Sequence, residues 1–115
     1  MALLFTFLLL LLLPQDALAW GPGVHMAIGN NVLAHLHLFA PALAGALTAH
    51  PEQYLYGCLS ADIFIGKGCT FTPTHSHNWD MGRVLLRQAE SPEAQAYAYG
   101  YLSHLAADVI AHNYF

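Results

Sequence analysis

The stretch SHLAADVIAHNYF, residues 103–115, sets the strongest constraint on this chain: a helix-forming run carries His104, Asp108 and His112 at intervals of four. Four residues advance a helix by one turn plus about 40°. His104 and Asp108 are therefore neighbours on one face, and His112 lies a further turn along, rotated again. Two readings fit. The histidines are ordinary core or surface groups of a helix, or the face is the wall of a metal site. Three such groups at this spacing on an otherwise apolar helix favour the metal. His104 and Asp108 can grip one ion. His112 is too far along to share it, but can serve a second ion bridged by Asp108.

The helix that bears them starts early. Ser91 is a good N-cap and Pro92 suits the first helical position, so the pattern predicts a helix from Pro92 to the last residue. No C-cap glycine or polar tail ends it, and Tyr114 and Phe115 are residues that favour burial. The expectation is a longer domain of which this is the amino-terminal part. Upstream, residues 24–39 space Val24, Ile28, Leu33 and Leu36 for one helix. Pro41 and Pro51 can each open a short helix, PALAGALTAH and PEQYLYGCLS. ADIFIGKGCTFTPT, with its glycines, proline and β-branched residues, predicts a loop that holds Asp62. HSHNWDMGRVLLRQAE returns to helix, with Arg83 and Arg87 four apart. No strand, repeat or low-complexity linker is evident, so the fold class is all-α.

Composition matters chiefly at the start. Hydrophobic residues make up 57% of the chain and charged ones 9%, a balance that suggests a membrane until the leader is set aside. LLFTFLLLLLL followed by Pro14 and the small-x-small sequence Ala17, Leu18, Ala19 reads as a secretory signal over residues 1–19. That run is about half of the ~20 apolar residues needed to span a bilayer. The alternative is an uncleaved anchor. Cleavage after Ala19 gives a mature domain over 20–115 with six acidic against three basic side chains, no basic run, and hence no electrostatic footprint for duplex nucleic acid. The expected location is secreted or periplasmic. Cys58 and Cys69 could then form a disulfide, which persists after export, or remain two buried thiols.

Eight histidines against three Lys plus Arg is the compositional anomaly, and histidine is the commonest metal ligand. Beyond the final helix they occur in HSHNWD, where His75 and His77 precede Asp80 at a loop–helix junction, and near the mature terminus, where His25 follows Trp20. Either histidine of HSHNWD could instead cap a turn. Asp62, between Ala61 and Ile63, is a carboxylate that needs a partner. A free α-amine at Trp20, with a pKa near ~8, is a competent ligand once deprotonated. His35, His37 and His50 fit surface or capping roles.

WGPGVH, an Asp before a loop, SHNWD and HLAAD, in that order, resemble the zinc-dependent phospholipase C family, whose relatives include the amino-terminal domain of glycosylphosphatidylinositol-specific phospholipase D and the fungal single-strand nucleases. The resemblance runs from Trp20 to Phe115. It implies an all-α domain in which Trp20 and His25 bind one zinc, while Asp62, His77, His104 and Asp108 bind another and Asp108 bridges. His77 aligns better than His75. His112 would serve a third ion with a His and an acid from a later helix that this chain lacks, so two of up to three sites would be complete here.

The expected function is a secreted, zinc-dependent phosphodiester hydrolase acting on phospholipid or a membrane-surface substrate. Asp62 is the candidate general base or water-orienting group by analogy with the family, and no stable protein partner is implied. The alternatives are a single-strand nuclease built on the same site, for which Trp79, Tyr97 and Phe71 are undiagnostic, and a non-catalytic metal-binding or interaction module.

Overall fold

A computed structural model describes residues 21–63 and 77–114. Within them the elements are α1 (Pro22–Ala34), a 3-10 turn (Leu36–Leu38), α2 (Pro41–Ala49), α3 (Pro51–Ile63), α4 (Trp79–Gln88) and α5 (Pro92–Tyr114). No strand occurs among the described residues, and the domain is all-α as the sequence predicts. Four of the five helices begin at or beside a proline, whose fixed φ suits the first turn and whose missing N–H would have had no partner there. The fifth, α4, is started differently. Asn78 is extended and its side chain accepts the Asp80 backbone N–H at 2.8 Å. Ser91 caps α5 as expected, its hydroxyl accepting the Ala94 N–H at 3.1 Å.

Three boundaries differ from the sequence-based expectation. The first helix stops at Ala34 instead of running to Phe39. Ala40 must be extended ahead of Pro41, at φ −56° and ψ 139°, so the chain leaves the helix before it. The third helix runs on to Ile63, which puts Asp62 in its last helical turn and not in a loop. The fourth begins at Trp79, so His77 lies ahead of the helix, beside the capping Asn78.

Helix α5 is the centre of the assembly, packing chiefly on α3 and also on α1, α2 and α4. Two apolar clusters line it. One gathers Leu47, Tyr54, Cys58 and Ala96, and the other Ala61, Tyr101 and Leu105 with Met81 and Leu85 from α4. Between them α3 and α5 cross at Gly57 and Gly100, both buried. A Cβ on Gly57 would run into the Tyr97 carbonyl, and one on Gly100 into the Tyr54 carbonyl, so the helices meet backbone to backbone. Cys58, beside the crossing, is a free thiol whose burial pushes its pKa up to about 11. Its possible disulfide partner Cys69 lies outside the described residues.

Candidate metal centre

Five of the sequence-selected residues converge at one end of the α3–α5 crossing. His25 comes from α1, Asp62 from the end of α3, His77 from the entry to α4, and His104 with Asp108 from α5. His25 and His104 are buried, their rings stacked with centroids 3.7 Å apart. Asp62, His77 and Asp108 are partly exposed and give the site its mouth.

The spacings have the dimensions of a coordination shell. His77 Nε2 is 3.2 Å from His104 Nε2 and 3.3 Å from Asp108 Oδ2, and His104 Nε2 is 3.3 Å from that same oxygen. Asp62 Oδ1 lies 3.4 Å from His77 Nε2 and 3.9 Å from His104 Nε2. Ligands held ~2.1 Å from a tetrahedral zinc are about 3.4 Å from one another. The other oxygens of the two carboxylates turn the opposite way. Asp108 Oδ1 is 3.3 Å and Asp62 Oδ2 4.0 Å from His25 Nε2. Both acids thus face two nitrogen-bearing sides at once, the arrangement that lets a carboxylate bridge two ions.

Donor chemistry supports a cation at this point. His104 Nδ1 is 2.8 Å from the carbonyl of Cys58, which can only accept, so Nδ1 carries the proton. In the neutral ring the lone pair of Nε2 is then aimed at His77 Nε2 and at two carboxylate oxygens. Lone pairs and negative charge converge there, and either a metal ion or a shared proton must sit between them. The same contacts set the direction of the pKa shifts. Burial alone would lower the pKa of His104, but hydrogen bonds to Asp108 and to the Cys58 carbonyl, with the charges of Asp108 and Asp62, raise it. For Asp108 burial pushes upward, yet hydrogen bonds to His104 and His25 and their charge hold it well below the usual carboxylate range.

Comparison with known proteins identifies the family. The family model for zinc dependent phospholipase C matches residues 24–115. The chain belongs to the zinc-dependent phospholipase C family. No curated protein and no solved structure matches it. The matched span includes all five converging residues, and the metal in the family's name fits a donor set of imidazole nitrogens and carboxylates without thiolate.

Other residues selected from the sequence fall elsewhere. Trp20 and His75 lie outside the described residues. His112 is exposed on α5 beyond Asp108 and joins neither group of converging ligand atoms. His35 donates from its ring to the Asn31 carbonyl at 2.8 Å, near the end of α1, and His50 approaches Glu93 at 3.9 Å. One partner could not have been read from the sequence. The Cys58 carbonyl that orients His104 is a main-chain group, and no residue type announces it.

Proposed function

We propose that the chain is a zinc-dependent hydrolase that cleaves the phosphodiester of phospholipids on the glycerol side, as an exported protein. The close spacing of three imidazole Nε2 atoms and two carboxylates carries this reading. His77, His104, Asp108 and Asp62 would hold one zinc, and His25 another, with the two acids between them. Zinc in such a site lowers the pKa of bound water towards ~7 and stabilises charge on phosphate oxygens. Asp62 is the residue we assign to orient the attacking water and accept its proton, because it stands at the mouth, its side chain 12% exposed, with one oxygen towards each side of the site. The buried rings of His25 and His104 exclude solvent from the floor, and Cys58 holds the His104 ring in one orientation.

Export and a third ion belong to the same proposal. A leader cleaved after Ala19 would free the Trp20 amine as a further ligand beside His25, and His112 would serve a third zinc. No described helix is long and apolar enough to cross a membrane. Zinc-loaded protein should release diacylglycerol from phosphatidylcholine vesicles, and terminal sequencing of the exported form should begin at Trp20. Cleavage of single-stranded DNA in preference to lipid would redirect the reading to a nuclease. Failure to bind zinc at all would remove its basis.

A further inference from the structure

The crossing of α3 and α5 lies directly behind the metal centre. Gly57 precedes Cys58, whose carbonyl takes the His104 N–H, and Gly100 lies one turn before His104 on the opposing helix. A mid-helix carbonyl is normally shielded by its own helix and by neighbouring side chains. Here the Cys58 carbonyl takes the His104 ring N–H at 2.8 Å, beside the point where the two backbones touch. A Cβ on Gly100 would lie 2.9 Å from the Cys58 nitrogen and would strike the Tyr54 carbonyl, while one on Gly57 would lie 2.9 Å from the Tyr101 nitrogen and 3.0 Å from the Gly100 Cα. All of these obstacles are main chain, so no side-chain rotation can relieve them.

We infer that the Gly57–Gly100 contact is a positioning element of the metal centre: it brings the Cys58 carbonyl to His104 Nδ1 and so fixes the ring with Nε2 towards the ion. The inference rests on the zinc reading of the site. Ordinary carbon contacts need about 3.5–4.0 Å, so a methyl group at either position forces the helices apart by on the order of 1 Å. A hydrogen bond of 2.8 Å then exceeds bonding range. His104 loses its orienting partner, and it moves relative to Asp62, which α3 carries beyond the crossing. Gly57 and Gly100 touch no ligand atom; they act through Cys58 and His104.

The test uses the full chain. Zinc affinity is measured by competition with a chromophoric chelator, and the geometry of the site by the visible spectrum of the cobalt(II)-loaded protein. Gly100→Ala is compared with Leu47→Ala, a buried core position that supplies no candidate ligand. Loss of an orienting partner typically weakens a metal site by about 10–100-fold. Gly100→Ala should show a loss of that order and a shifted cobalt spectrum, while Leu47→Ala keeps wild-type affinity and spectrum. If Gly100→Ala is unfolded without metal, it should need at least about 10–100-fold more zinc to refold than a Leu47→Ala chain that is merely destabilised. Nitrogen-15 shifts of the zinc-loaded wild type should place the metal on Nε2 of His104 and the proton on Nδ1. Wild-type zinc affinity in Gly100→Ala, its refolding by zinc as readily as Leu47→Ala, or metal on Nδ1 would overturn the inference. Absence of zinc binding in the wild type would instead overturn the metal reading itself.

Discussion

The two ends of the α3–α5 pair are held by different forces. At one end Tyr54, Leu47, Cys58 and Ala96 are almost fully buried, and apolar area and close contact suffice. At the other, Asp62, His104 and Asp108 face His25 and His77, and carboxylates and ring nitrogens are brought within 4 Å of each other. Apolar burial stabilises the first end whatever ions are present. The second gathers like charges and lone pairs, and its stability depends on what sits between them. A single pair of helices thus joins an apolar end to a candidate metal centre, and Gly57 and Gly100 form the join.

The largest effect should come from the candidate metal centre. Asp108 touches His25, His77 and His104, so Asp108→Ala should abolish hydrolysis and release more than one equivalent of zinc by elemental analysis. His77→Ala should mainly disturb one ion. Equal losses from the two variants would break the bridging assignment. At the other end, Leu47→Ala removes a 2% exposed side chain and should cost about 2–5 kcal/mol in denaturant unfolding. That cost should be the same with and without zinc to within roughly 0.5 kcal/mol, because distant sites add. A marked zinc dependence would mean that the two ends are not separable.

pH should sharpen the contrast. The pKa of His104 is raised in the fold, so in metal-free protein its contribution is fully present below about 6.5, the ordinary histidine value, and is lost as pH rises through the folded value. The depressed pKa of Asp108 gives a contribution present above the ordinary carboxylate value of about 4 and lost only as pH falls further, so it is constant between about 5 and 8. Zinc bound at this site would compete with the His104 proton, and its stabilisation would have the opposite slope. The rise in Tm on adding zinc should therefore grow from pH 5.5 to 7.5 while the metal-free Tm falls. Parallel melting curves at every pH would argue that zinc does not displace that proton. The smallest effect is expected from Tyr54→Phe, which removes the hydroxyl bonded to Ser103 at 3.0 Å. About 1 kcal/mol should be lost, with zinc content unchanged.

Much of the site was legible because a helix converts spacing into proximity. His104 and Asp108 share a face by their four-residue interval alone, and α5 carries them as expected. Prolines at helix starts and the Ser91 cap act through local backbone geometry, and they too could be read directly. The position of Asp62 was less accessible. Its sequence neighbourhood of glycines and β-branched residues suggests a loop, but packing of Ala61 in the core extends α3 through it. His112 continues the interval of four, yet the rotation accumulated over two turns leaves it exposed, away from the shared face.

The sequence by itself determined an all-α chain, the starts of its helices and the residue types able to hold zinc, because each follows from interactions within a few residues. Only the tertiary structure decided which of those residues meet. The approach of His25 and His77 to His104, the two-sided placement of both carboxylates and the reach of the Cys58 carbonyl depend on distances between helices. Those distances are set where side chains are absent, at Gly57 and Gly100, and a missing Cβ has no periodicity from which a contact could be read.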